Sequence, residues 1–359
     1  HRDLHSFPTR RSSDLFRTVG GTFDITILTG KTFSFQFQFW TFLAMALAFA
    51  VKVPMFPLHT WLPAAHVQAP SAGSVILAAV LLKMGTYGFL RLCLPLAPAA
   101  SVYFAPMMIA ISIASILYGG LIALGQKDIQ KLVAYSSVAH MGFVTLGIFV
   151  LTQRGVEGAI LQMLNHGITT GALFMLIGLI YERSHSREIV DNQGLGKFMP
   201  AFLFFWGLFS LSSLAFPGTN SFVGEVLVLA GTFEVNMWAG FLAIPGAMLA
   251  AAYMLRLMQK VAWGEPSSYK KKWSDLNGRE WIYLMPMAFL VFYIGFVPGP
   301  ALRMISPSIT TVLTTIEQKN QALGYHQDMP LAECMLLEPA ARIADGAASP
   351  VSLPGKERL

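Results

Sequence analysis

The sequence predicts an all-α fold, a polytopic bundle of transmembrane helices in which some helices are broken at proline and glycine. Three observations carry this. Of the 359 residues 54% are hydrophobic and only 12% charged, against roughly 25% charged in an average soluble domain. Mean hydropathy is +0.56. The apolar residues also come in blocks of about 20, the length a helix needs to cross roughly 30 Å of hydrocarbon at about 1.5 Å per residue. The net charge of +6 raises the question of a nucleic-acid partner. The Lys and Arg, however, sit in short segments between apolar blocks, where membrane topology explains them better. Cys93 and Cys334 are far apart and lack ligand spacing, so neither a disulfide framework nor a metal site is indicated.

Residues 1–15, HRDLHSFPTRRSSDL, are polar and basic with no apolar core, so they are not a signal peptide. They read as a non-native scar. Residues 16–32 form a lead-in loop without a plausible initiating methionine, and the sequence reads as a fragment that lacks N-terminal helices. The transmembrane domain is expected over 33–300. Its apolar blocks run over 33–51, 71–93, 102–124, 129–151, 156–181, 200–216, 221–238, 239–263 and 281–297. The two blocks beside Phe216-Pro217-Gly218 are short and read as halves of one broken helix, because proline removes a ladder donor and glycine relieves the bend. About eight crossings follow. From about Gln318 the chain turns polar, and 301–359 is expected to be an extension that is largely irregular toward its end.

Alternate loops carry Lys127 and Lys131, then Arg183, Arg187 and Lys197, then Lys260, Lys270, Lys271, Lys272 and Arg279, while the others offer little beyond Arg154. The rich loops are expected to face the cytoplasm. Trp40, Trp61, Trp238, Trp263, Trp273 and Trp281 stand near block ends, as interfacial aromatics do. A weak internal repeat shows in the breaks: Val53-Pro54-Met55-Phe56-Pro57 follows Lys52, and Pro217-Gly218 precedes Glu225. Broken helices at matching places in two halves point to an ion path, because freed backbone groups are tolerated where they line a wet cavity.

Lys83 lies about twelve residues into an apolar helix, where an ammonium costs at least ~2.5 kcal/mol. Snorkelling or a structural ion pair is the plainer reading; a proton carrier is the functional one, since a lysine held away from bulk water can exchange its proton with a neighbour. Tyr87 at i+4 would supply a hydroxyl on the same face. Lys52 ends an apolar run and could reach the headgroups, yet the Pro-broken stretch that follows argues for a place at membrane depth. His59 and His66 read more simply as structural or interfacial histidines. Glu225 reads as paired or neutral, either a structural partner for a lysine or a member of the path.

His140 in YSSVAHMGF and His166 in LQMLNHGITTGALF are both mid-helix, with Ser136, Ser137, Thr169 and Thr170 on their faces. An imidazole can pass a proton between its two nitrogens, which suits it as a relay, whereas a lone buried histidine is more often a satisfied core residue. Two of them beside two lysines and a glutamate favour the relay. No dinucleotide fingerprint, Walker loop, metal-spaced Cys/His cluster or nucleophile triad occurs. The chain is therefore not expected to bind nucleotide, flavin or an iron–sulfur cluster.

The runs VKVPMFPLHTWLPAAHVQAPSAGSVILAAVLLKMGTYG, LGQKDIQKLVAYSSVAHMGF, LNHGITTGALFMLIG and FPGTNSFVGEVLVL resemble the antiporter-like membrane subunits of respiratory NADH:quinone oxidoreductase. The resemblance implies an inverted-repeat antiporter-like architecture and a proton-translocating function. It also implies that Lys52, Lys83, His140, His166 and Glu225 belong to a central hydrophilic axis, with Lys52 as the pumping lysine and Glu225 as the terminal residue. Pro54, Pro217, His59, His66 and Tyr87 would support them. Most of the family has lysine at Glu225, so the glutamate marks one branch. In the family Lys52 pairs with a glutamate on an earlier helix that is absent here, and Ala64 stands where the family usually has Asp. NADH, FMN, iron–sulfur clusters and quinone would belong to partner subunits. Other membrane subunits and the lipid bilayer of a bacterial inner membrane would be the surroundings. A cation/proton antiporter or membrane-bound hydrogenase subunit is the alternative, and a non-conducting scaffold a second.

Overall fold

In the computed structural model, which describes residues 24–265, 273–337 and 339, the apolar blocks fold as helices. Residues 1–15 and the start of the lead-in segment, Lys270, Lys271 and Lys272, and the last twenty residues lie outside the described residues. Among the described residues every regular element is helical, apart from an isolated β-bridge between Asp128 and Glu188. The lead-in segment contains a short helix, α1 (Ile25–Thr29), whose first turn is capped by the Asp24 carboxylate accepting from Thr26 N at 2.8 Å.

α2 (Phe35–Lys52) stops at the first Pro-rich stretch, and α3 (Trp61–Gln68) resumes after it. α4 (Ser71–Leu96) is a single 26-residue run with wide π-type turns at Leu77–Leu81 and Phe89–Cys93. α5 (Pro98–Gly125) follows. α6 (Ile129–Phe149) opens on Asp128, whose carboxylate accepts from Gln130 N and Lys131 N and so satisfies two otherwise orphaned donors. α7 (Gln153–Ser184) opens in the same way on Thr152. α8 (Pro200–Ser213) and α9 (Asn220–Val235) flank the Pro217-Gly218 break, and α10 (Met237–Trp263), α11 (Gly278–Phe296), α12 (Gly299–Leu323) and the short α13 (Leu331–Cys334) complete the order.

Six helices, α2, α4, α5, α6, α7 and α10, are each long and apolar enough to cross a membrane. α11 and α12 pass the same test together, bent by 72°, while α8 (14 residues) and α9 (16 residues) are shorter and lie on either side of the Pro217-Gly218 break. The chain is thus a multi-pass membrane protein. Within the 301–359 extension α12 runs as a helix to Leu323, past Gln318, where the chain turns polar. Its sequence hides this because only one face is apolar, with Ile309, Ile316 and Leu323 buried at helical spacing and threonines elsewhere.

Burial separates the helices sharply. α6 is 94% buried along its most apolar window and α7 78%, against 22% to 44% for α2, α4, α5 and α10. The two mid-helix histidines therefore stand on the most enclosed elements. The loops that hold most of the basic residues meet at one end of the bundle: Ile129 N donates to Arg187 O at 3.0 Å, Ile189 N to Lys127 O at 2.9 Å and Gly194 N to Lys260 O at 3.4 Å. Arg154 pairs at 2.6 Å with Glu234, at the other end, where both remain exposed. A half-buried clasp closes the basic end. The Arg183 guanidinium lies 3.0 Å from both oxygens of Glu280, and Asp275 caps α8 by accepting from Ala201 N and Phe202 N.

Candidate functional site

The break after Lys52 is satisfied by its neighbours. Phe56 N donates to Ser115 Oγ on α5 at 2.9 Å, and the Trp61 indole donates to Val51 O at 2.9 Å. α4 passes close against the end of α2 because Gly85 has no side chain: a Cβ there would stand 2.6 Å from Val53 Cγ2 and 3.2 Å from Lys52 Cβ. Lys52 itself is exposed on the surface of the bundle.

Lys83 projects from α4 into the interior and is 9% exposed. Its ammonium donates to the Ala78 carbonyl, five residues back across the first wide turn, and stands 2.7 Å from His166 Nδ1. An ammonium has only donors, so His166 Nδ1 accepts. On α7 the residues Gln162, Asn165, His166, Thr169 and Thr170 share one buried polar face at helical spacing. Asn165 Nδ2 donates to Asn220 O at 2.8 Å, Thr169 Oγ1 lies 2.7 Å from Ser212 Oγ, and Ser212 Oγ donates to Asn220 Oδ1 at 2.6 Å. These bonds tie α7 to both α8 and α9.

The His166 and His140 ring centroids are 5.7 Å apart. Gln162, Thr169, Thr170, Ser213 and Ser221 line the crevice between them. Beyond it, His140 Nδ1 is 3.1 Å from Glu225 Oε1, and Gln162 Nε2 donates to the same oxygen at 3.1 Å. His140 and Glu225 are each 3% exposed. Glu225 reaches them because α9 crosses α7 with backbones nearly touching. A Cβ on Gly158 would stand 2.6 Å from Val228 N, and one on Gly231 2.4 Å from Gly155 N. Glycine at these crossings is what the close approach requires.

The structure thus joins four of the five expected axis residues, in the order Lys83, His166, His140, Glu225, and leaves Lys52 at the near end against α4. The supporting set divides. Pro54 and Pro217 lie in the two breaks. His59 is buried edge-on to Tyr118 at 5.0 Å, and His66 stacks on Phe174 at 4.4 Å, so both pack as aromatic rings. Tyr87 is half-exposed, on the outer side of α4. The partners of the Lys83 ammonium are Ala78 and His166 rather than the Tyr87 hydroxyl: both residues lie in the regular α-helical stretch Leu82–Gly88, but the Lys83 side chain turns inward while Tyr87 stays on the outer side.

Sequence reasoning missed Gln162, Ser213 and Tyr253, whose hydroxyl is 3.2 Å from His140 Nε2. Gln162 was detectable, one turn before His166 on the same face. Tyr253 was not, since AAAYMLRL gives no sign that its ring points inward. Among the described residues no group of three or more His, Cys, Asp or Glu converges as a metal site would require.

Residues 14–250 match the family described as NADH:quinone oxidoreductase/Mrp antiporter, TM. The chain is 46% identical over 282 residues to NADH-quinone oxidoreductase subunit M of Rhodobacter capsulatus, covering 78% of this chain and 53% of that protein. Against NADH-ubiquinone oxidoreductase chain 4 of Chondrus crispus it is 45% identical over 297 residues, 82% of this chain and 60% of that one. It therefore spans little more than half the length of these relatives. Among solved structures, respiratory complex I from Thermus thermophilus with bound NADH contains a chain that superposes with a TM-score of 0.81 at 32% identity, over 86% of this chain and 66% of that one. A chain of the Mrp complex from Dietzia sp. superposes with a TM-score of 0.71 at 19% identity, over 87% of this chain and 68% of that one, a likeness of fold alone.

Proposed function

The chain belongs to the NADH:quinone oxidoreductase/Mrp antiporter membrane family, and from that premise we propose that it moves protons across the membrane within a respiratory NADH:quinone oxidoreductase. Electron transfer in partner subunits, which hold the NADH, FMN, iron–sulfur and quinone chemistry, supplies the energy. The setting is a bacterial inner membrane, with related antiporter-like subunits as neighbours. The path runs from Lys52 through Lys83, His166 and His140 to Glu225.

One observation carries this reading: a buried ammonium, two imidazoles and a carboxylate follow one another, with contacts of 2.7 Å and 3.1 Å at the ends and rings 5.7 Å apart between. Burying such groups has a desolvation cost that an inert scaffold would have no reason to bear, although ion pairing lowers it. Imidazole accepts a proton at one nitrogen and releases one at the other, so the two rings link a cationic donor to an anionic acceptor. The crevice between the rings is lined by the hydroxyls of Thr169, Thr170, Ser213 and Ser221, and a single hydroxyl is enough to bridge two imidazoles at this separation.

The test is made in the intact complex. Lys83→Ala and Glu225→Gln are each expected to lower NADH-driven proton translocation by roughly an order of magnitude or more, the scale of losing a positioned proton-transfer group, while the subunit still assembles. Assembled variants that translocate at the normal rate reject the assignment. Co-purification with NADH-oxidising subunits separates this reading from a cation/proton antiporter or a membrane-bound hydrogenase.

A further inference from the structure

Both ring nitrogens of His140 are engaged. Nδ1 faces Glu225 Oε1 at 3.1 Å, whereas Nε2 faces the Tyr253 hydroxyl at 3.2 Å and Ser213 Oγ at 3.5 Å. Tyr253 is fully buried on α10. A neutral imidazole carries one proton, and the partner of one nitrogen decides what the other must do. With Glu225 ionised, Nδ1–H donates to the carboxylate and Nε2 is left as an acceptor, which the Tyr253 O–H satisfies. With the proton on Glu225, its O–H donates to Nδ1, Nε2 carries the ring proton, and the phenol oxygen accepts it. A phenol can serve both states because it is donor and acceptor at once. Its own hydrogen then turns to Ser136, which stands beside it one turn before His140, and whose hydroxyl donates to Val133 O at 2.7 Å and so keeps its lone pairs free.

We propose that Tyr253 is the positioning residue that couples the tautomer of His140 to the charge on Glu225. Through it, a proton arriving at Nε2 from the Lys83–His166 pair is delivered from Nδ1 to the carboxylate. This rests on the proton-path reading above. In the step an N–H bond forms at Nε2 as the donor gives up its proton, the N–H bond at Nδ1 breaks, and an O–H bond forms on Glu225. The His140–Glu225 pair goes from a charge of −1 to 0 as the donor pair loses one positive charge, so charge balances. At neither end of the step is a buried nitrogen of His140 left without a partner, a condition that would otherwise slow the transfer.

Tyr253→Phe keeps the ring and its packing while removing only the hydroxyl. In the intact complex sealed in vesicles, this variant is expected to assemble normally and to lower the rate of NADH-driven proton translocation about fivefold, the factor set by a hydrogen bond of about 1 kcal/mol. In a His140→Gln background the same change is expected to have no further effect. Translocation at the wild-type level in Tyr253→Phe overturns the proposal, and so does an equal fivefold loss in both backgrounds, because the phenol would then act elsewhere. If Tyr253→Phe fails to assemble, Ser136→Ala replaces it: removing the phenol's own acceptor is expected to lower translocation roughly twofold, and an unchanged rate overturns the proposal. Normal translocation in His140→Gln and Glu225→Gln would instead reject the proton-path reading itself, which keeps the two failures distinct.

Discussion

A carboxylate buried to 3% exposure needs donors, and Glu225 takes them from His140 and Gln162 on two different helices. Gln162→Leu removes one of them without changing the volume greatly. It is expected to destabilise the chain by about 1.5–3 kcal/mol, the range for a hydrogen bond to a charged group, read as a lower midpoint of thermal unfolding in detergent; an unaltered midpoint would show that Glu225 draws nothing from Gln162. At this scale residue types were legible and partners were not. Lys83, His140, His166 and Glu225 stand out because ionisable groups are rare in apolar helices. Tyr253 and Ser213 do not, because tyrosine and serine are common there and only a fold shows which way they face.

Helices are legible where the pattern that makes them is local. The apolar blocks predict α2, α4 to α7 and α10, and the two Pro-containing breaks fall beside Lys52 and before Glu225 as composition suggests. α12 escaped because its buried stripe is narrow and its exposed face polar, so no window of the sequence looks membrane-like. The π-type turns of α4 also escaped, on either side of the regular α-helical stretch Leu82–Gly88. Helix crossings offer a sharp contrast between two glycines. Gly231→Ala would place a methyl 2.4 Å from Gly155 N, where backbone must yield, while a Cβ on Gly207 would meet nothing within 4 Å. The first is expected to cost about 1–3 kcal/mol and to reduce the amount of assembled subunit in membranes. Gly207→Ala is expected to be neutral or stabilising by up to about 1 kcal/mol. Equal losses at both positions would contradict the crossing geometry.

Across the whole molecule, the basic end is held by the Arg183–Glu280 pair, whose side chains are only 12% and 11% exposed. Glu280 also belongs to the capping box of α11, accepting from Asn277 N at 2.8 Å. Glu280→Ala strands a largely buried guanidinium and is expected to destabilise by about 3–5 kcal/mol, whereas Arg183→Met with Glu280→Leu is expected to recover much of that loss. Thermal unfolding of the two variants decides it, and a double variant no better than the single one would place the cost in the cap instead. The sequence alone determined that this chain spans a membrane as helices, where two of them break, and which ionisable residues are out of place in lipid. Those properties depend on residues within a turn or two of one another. The tertiary structure decided that Lys83 meets His166, that His140 meets Glu225 and that Tyr253 closes on His140, contacts between residues 83, 85 and 113 positions apart. No local periodicity encodes such pairings, because they are set by how whole helices cross and how closely their glycines let them approach.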